Sequence, residues 1–267
     1  MILLPLIALF GCQPQENKYE DAANRIEEAL QQKYGEEFVV EKIGGGFGTV
    51  NTNTIKSMAS PKSDPSIKFQ VEITKDLEKV YDKYLNELVA QSNVKPIEEM
   101  ARKFWSDAKV TITNDTVWTY PTHVDRNMTY EEFLMLYPSN TQLVSVFVNS
   151  ENYMNEMNEM DEDSELLRYQ QFAKVLVESG NLKTRFNVKY LSLDAYSRYD
   201  ELRRRSAEMT YEYKKEEDER SLMNFVVING TYISENGKLE DSEVDFKETF
   251  EYWKRKRLEY LEKKGTM

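Results

Sequence analysis

Apolar and polar positions change rhythm several times along the chain, and each rhythm predicts an element. Between Tyr19 and Tyr34, Ala22, Ala23, Ile26, Ala29, Leu30 and Tyr34 recur every three or four residues, the period of an amphipathic helix, and Gly35 supplies its stop. Phe38 to Ile43 reads as a strand, broken by Gly44-Gly45-Gly46-Phe47-Gly48, and Thr49 to Ile55 as a second. After a turn at Pro61 to Pro65, Ile67, Phe69, Val71 and Ile73 alternate with Lys68, Gln70, Glu72 and Thr74, a half-buried strand. Helices are expected from Leu77 to Val89 and from Pro96, at a first-turn position, to Trp105. The resulting order is α-β-β-β-α around a three-stranded meander.

Beyond residue 105 the rhythm alternates faster. Val110, Ile112, Thr116 and Trp118 belong to extended segments, Tyr130 to Tyr137 to a short helix, and Leu143 to Val148 to an apolar strand. Ser164 to Val177 is helical, Arg185 to Leu193 extended, and Asp194 to about Glu219 a long charged helix. Phe225 to Ile228, Asn229-Gly230 and Thr231 to Ile233 carry a hairpin signal, and the chain ends in a helix from Asp245 to about Lys263. The expected class is α+β, with antiparallel or mixed sheets covered by helices, a first unit over residues 19–105 and a second over 106–267.

The N-terminus stands apart from this pattern. Met1 to Gly11 contains no charged side chain, while polar residues crowd Gln13 to Glu20. Such a run is too short for a bilayer core that needs about 20 helical residues, and it fits the apolar region of a secretory signal peptide. Leu9-Phe10-Gly11-Cys12 then matches the bacterial lipobox, an aliphatic residue three before Cys and a small residue just before it. Gly11 lets the signal peptidase approach the bond, and the Cys12 thiol takes up the diacylglyceryl group. Phe10 is bulkier than usual there, and Met1 runs into Ile2 without a basic leader, so the start is expected to lie further upstream. On this reading residues 1–11 are a signal peptide, residues 12–18 a lipidated cysteine with a polar tether, and the body faces outward from the cell membrane on two acyl chains.

Composition narrows the function. The 267 residues carry 47 acidic and 35 basic side chains, a net charge of −12, which excludes a nucleic-acid partner because phosphate contacts need a basic face. One Cys excludes an internal disulfide, and one His excludes a His-rich metal site, so neither metal nor cofactor is expected.

Three further segments, Lys33-Tyr34-Gly35-Glu36-Glu37-Phe38, Ser60-Pro61-Lys62-Ser63-Asp64-Pro65 and Phe69-Gln70-Val71-Glu72-Ile73, with the lipobox before them, resemble the uncharacterised small surface lipoproteins of Gram-positive bacteria over roughly residues 9 to 90. The resemblance implies an extracytoplasmic location and an α+β fold. It brings no catalytic residues.

The remaining motifs read more simply as structure. The glycines at 44–48 lack the Gly-Lys-Ser/Thr ending of a phosphate loop and precede a strand, so they form a turn or bulge. His123 lies in a loop without a nucleophile elbow. Glu159, Asp161, Glu162 and Asp163 lack the central Gly of a calcium loop and read as a solvated acidic loop or helix start, beside Met154, Met157 and Met160 at three-residue spacing. Arg203-Arg204-Arg205 and Lys254-Arg255-Lys256-Arg257 lie on charge-laced helices. Trp105, Trp118 and Tyr120 are packing residues, with a sugar or peptide platform as the minority reading. The expected function is a membrane-anchored, non-catalytic binding or protein-interaction module with a protein or cell-wall partner. The alternatives are a surface hydrolase using paired carboxylates on a wall polymer and a cytosolic protein with an apolar N-terminus.

Overall fold

A computed structural model describes residues 15–44, 53–115, 125–155, 159–201, 226–240 and 243–264. Cys12, Leu9 and Gly11 lie outside these residues, as do His123, Trp118, Tyr120, Met157 and Arg203 to Arg205. The fold is α+β, and among the described residues it has two four-stranded sheets in two compact units. Among the described residues the first unit ends at Tyr84 and the second begins at Leu85.

In the first unit, helix α1 (Gln15–Tyr34) presents Ala22, Ile26, Leu30 and Tyr34, all buried, at the predicted spacing. Gly35 ends it at φ 73, a left-handed conformation that glycine adopts without a Cβ penalty, and donates its N–H to the Gln31 carbonyl at 2.9 Å. Strands β1 (Phe38–Ile43), β2 (Thr54–Pro61), β3 (Phe69–Thr74) and β4 (Val80–Asp82) follow in antiparallel order β1-β2-β3-β4. Val40 pairs with Ala59 and Lys42 with Met58, so Glu41 is the extra residue of a bulge. Phe69, Val71 and Ile73 point into the core while Gln70, Glu72 and Thr74 face outward. Tyr34, Phe38, Phe69 and Tyr84 pack edge to face or tilted, with ring centres 4.8 to 5.9 Å apart.

The helix expected from Leu77 to Val89 is corrected here. Leu77 sits in a turn with φ 62, residues 80–82 form the fourth strand, and a single helix α2 (Tyr84–Ala101) runs through Pro96 rather than starting there. Pairing of Val71 with Asp82 and Ile73 with Val80 claims the segment for the sheet.

In the second unit, the sheet has order β5-β6-β7-β8: β5 (Lys109–Asp115), β6 (Thr141–Asn149), β7 (Thr184–Leu191) and β8 (Val226–Ile233). β5 and β8 pair antiparallel with their neighbours, whereas β6 and β7 are parallel, linked through α4 (Glu162–Glu178) as a βαβ crossover. Val110, Ile112, Val144, Val146, Val148, Phe186, Val188 and Tyr190 face one side of the sheet. There they meet Ala90, Ile97 and Ala101 of α2, Tyr169, Phe172 and Leu176 of α4, and Phe246 and Phe250 of the C-terminal helix α6 (Glu243–Lys264). Helix α3 (Tyr130–Leu136) opens with a capping box between Thr129 and Glu132. The short α5 (Leu193–Ser197) lies on the opposite sheet face with Leu191, Ala195 and Tyr199 against Phe147.

The hairpin expected at Asn229-Gly230 is also corrected. Both residues lie inside β8: Phe186 pairs with Thr231 and Val188 with Ile228, so Asn229 and Gly230 oppose Asn187 alone. That is a two-against-one β-bulge, and it places in one strand what the sequence divides into two. The long charged helix expected from Asp194 is described only to residue 201: α5 ends at Ser197, a turn follows at Arg198, and residues 199–201 are helical again.

Candidate functional site

The second sheet carries polar clusters at both ends of its parallel pair. Parallel strands joined by helical crossovers bring loops and a helix N-terminus together at their carboxyl ends, where ligands of such sheets bind. Here that end is formed by Asn149 closing β6, the 3-10 turn Ser150–Asn152, the first turn of α4, Tyr190 near the end of β7, and Trp105 and Asp107 in the turn before β5.

Glu165 is its centre, 1 % exposed although charged. Its Oε2 accepts from the Trp105 indole N–H at 3.1 Å and from the Tyr190 hydroxyl, and its Oε1 from the Arg168 guanidinium one helical turn away. Arg168 lies over the Tyr153 ring, 5.3 Å from its centre, and the Tyr153 and Tyr190 rings meet edge to face at 5.8 Å. The Tyr153 hydroxyl donates to Asp107 Oδ1 at 2.6 Å, while Oδ2 accepts from the Asn149 N–H at 2.7 Å and the Asn152 amide at 3.1 Å. Burial, then the neighbouring Glu165 charge, pushes the Tyr190 hydroxyl well above its ordinary value. Burial, then the bond to Asp107, raises Tyr153 likewise. Both phenols therefore stay protonated at neutral pH and act as donors. Each charge-assisted bond here is worth about 1.5–3 kcal/mol net. Arranged this way, two anions and a cation are held in place by neutral donors, and both oxygens of each carboxylate are engaged.

The opposite end is built of amides. Asn86 and Asn93 lie two turns apart on α2, Asn114 and Gln142 are cross-strand partners, and Asn140 and Asn181 precede β6 and β7. Asn114 Nδ2 donates to the Asn86 carbonyl at 3.0 Å, Asn140 Nδ2 to Asn114 Oδ1 at 3.3 Å, and Asn93 Nδ2 to Asn181 Oδ1 at 2.9 Å and Gln142 Oε1 at 3.4 Å. The Tyr130 hydroxyl donates to the Leu182 carbonyl at 2.9 Å, and burial pushes its pKa up to about 12. Asn86 and Gln142 are 1 % and 0 % exposed, yet both side-chain atoms of Asn86 and Gln142 Nε2 have no partner among the described residues. A buried polar group left in that condition costs about 1–3 kcal/mol.

The residues singled out from the sequence are scattered relative to these clusters. Asp161 caps α4, accepting from the Ser164 N–H, and Glu162 and Asp163 occupy its first turn. Met154 and Met160 form an isolated bridge. Gly44 ends β1 at φ 82, with Tyr19 where a Cβ would project. Arg255 and Lys256 stand near the Tyr252 ring on α6, and Lys256 pairs with Glu259. Trp105 is wholly buried with its N–H spent on Glu165, so it cannot form an exposed platform.

The sequence reading missed Glu165, Asp107, Arg168, Tyr190 and the amides. A signal for several of them exists: Glu165 occupies the apolar stripe of α4 with Tyr169, Phe172, Ala173 and Leu176. Asn86 and Asn93 stand on the stripe of Ala90, Ile97 and Ala101, and Gln142 alternates in register with Val144, Val146 and Val148. A polar residue in an apolar register is a buried polar residue, and such residues need partners.

No protein-family model and no curated protein matches the chain. Among solved structures, the crystal structure of a DUF5037 family protein from Ruminococcus gnavus ATCC 29149 is similar, with a TM-score of 0.53 at 19 % identity, covering 86 % of this chain and 98 % of that one. The likeness is one of fold.

Proposed function

We propose that this chain is a bacterial lipoprotein, anchored through Cys12 to the outer face of the cell membrane, whose body binds a partner and performs no catalysis. The observation that carries the reading is Leu9-Phe10-Gly11-Cys12: the chain's one cysteine follows eleven uncharged residues at the position a lipobox requires. No helix among the described residues is long and apolar enough to cross a membrane. The test is metabolic labelling with a palmitate analogue followed by membrane fractionation. Label and membrane association should both disappear in Cys12→Ser; equal labelling of variant and wild type would remove the anchor.

A second reading, a hydrolase acting on a wall polymer, draws on one observation: Glu165 and Asp107 both act on Tyr153, beside Trp105. Against it stands the engagement of all four carboxylate oxygens by fixed donors. Release of reducing ends from purified cell wall by wild type, abolished in a folded Asp107→Asn, would establish the hydrolase and displace the binding module.

A further inference from the structure

The amide cluster has an unusual chemistry for a buried site in a protein of net charge −12. Every side chain that bonds within it (Asn86, Asn93, Asn114, Asn140, Gln142 and Asn181) is neutral. Three atoms in it are buried without a partner among the described residues: Asn86 Nδ2, Asn86 Oδ1 and Gln142 Nε2. The assignment at Asn86 does not depend on which way its amide points, because both ends are unpartnered. At Gln142 a flipped amide would set Nε2 against the Asn93 Nδ2 donor 3.4 Å from the present Oε1, two donors facing one another, so the orientation with Nε2 turned to the unpartnered side holds.

The unpartnered set therefore consists of two donors and one acceptor. A carboxylate or phosphate would answer the donors, but it has no hydrogen for Asn86 Oδ1 and would bring a charge to which none of these amides is a counter-ion. An ammonium group would answer only Oδ1. A hydroxyl oxygen both accepts and donates and carries no charge, so it complements all three. We propose that the amides at the amino-terminal ends of β6 and β7 form a binding site for hydroxyl oxygens, with Asn86 and Gln142 as the groups that hold them. Two sources share that chemistry: ordered water, and the hydroxyls of a neutral saccharide. The site stands independently of the Cys12 anchor.

The test uses the full chain. Crystals grown alone and with glucose or N-acetylglucosamine should show a non-protein oxygen within about 3.2 Å of the Asn86 amide and of Gln142 Nε2. An isolated oxygen unchanged by sugar identifies water. Ring density, with a wild-type Tm that rises with sugar concentration and does not rise in Asn86→Leu, identifies a saccharide. Thermal unfolding supplies a second readout with a definite sign. Leu keeps the branched skeleton of Asn without its polar atoms, so Asn86→Leu lowers Tm by several degrees if an oxygen is held and raises it if the amide is merely unpartnered. Where Asn86→Leu fails to fold, Gln142→Met reads the same sign. Crystals in which both amides pair with protein atoms or face no oxygen, or a variant whose Tm is unchanged or raised, would overturn the proposal.

Discussion

Asp161 and Glu162 stand side by side at the start of α4, and their carboxyls shift in opposite directions. The Ser164 hydroxyl, then the Ser164 N–H, holds Asp161 below its ordinary 3.8, whereas burial, then the charge of Glu251, raises Glu162 above its ordinary 4.5. A depressed carboxylate stabilises the folded state above its unfolded value and loses that contribution as pH falls through the folded one. A raised carboxyl does the reverse: its contribution is present below 4.5 and lost as pH rises through the folded value. Asp161→Asn should therefore lower Tm at pH 7 and converge with wild type as pH falls below 3.8, while Glu162→Gln should raise Tm at pH 7 with a gain that vanishes below 4.5. Melting curves from pH 3 to 7 check both signs. Glu165 makes a different prediction, since its three donors are fixed around it. Glu165→Gln keeps one acceptor but removes the charge, and should cost about 2 kcal/mol. Glu165→Leu strands the Trp105, Tyr190 and Arg168 donors and should cost about 3–5 kcal/mol. Urea unfolding of the two variants orders them, and equal losses would mean that the acceptor kept by Gln contributes nothing beyond the lost charge.

At the scale of elements, what was legible in the sequence were those whose reason is local. The stripe of Ala22, Ile26 and Leu30 on α1 and the alternation of β3 rest on spacing alone, and both stand where spacing puts them. The errors arose where partners far along the chain decide. Val80 to Asp82 leads into a helix but pairs with β3, and Asn229-Gly230 has turn chemistry but opposes Asn187 in a continuous strand. The polar clusters were hidden for the same reason. Asp107 and Tyr153 are 46 residues apart, and nothing in either neighbourhood announces the other. Pro96 illustrates the energetic side. Proline suits the first turn of a helix, yet α2 runs from Tyr84 through it to Ala101. There it deprives the Ser92 carbonyl of its helical donor, and the burial of Ala90, Ile97 and Ala101 on the core holds the helix together across it. Pro96→Ala should raise stability by about 1–3 kcal/mol, read as a higher urea midpoint at unchanged slope. A loss instead would show that the proline shapes the helix for its packing.

At the scale of the whole molecule, charge and anchor pull in different directions. Residues 1–11 carry no charge, so the entire −12 belongs to the chain from Cys12 onward. An acidic body repels an anionic leaflet, and the two acyl chains proposed on Cys12 would hold it there as a tethered rather than an adsorbed protein. The basic run Lys254-Arg255-Lys256-Arg257 on α6 is the feature that could reverse this, since a local cluster can bind a surface that the net charge avoids. Salt separates the two because screening weakens whichever force dominates: the Debye length is about 10 Å at 0.1 M and about 30 Å at 0.01 M. The unacylated chain from Gln13 onward, spun with phosphatidylglycerol vesicles, should remain in the supernatant at 0.1 M salt and at least as completely at 0.01 M. Binding that grows as salt falls, and that Lys254→Glu with Lys256→Glu abolishes, would assign α6 a membrane contact of its own, and the lipid on Cys12 would then be one of two attachments.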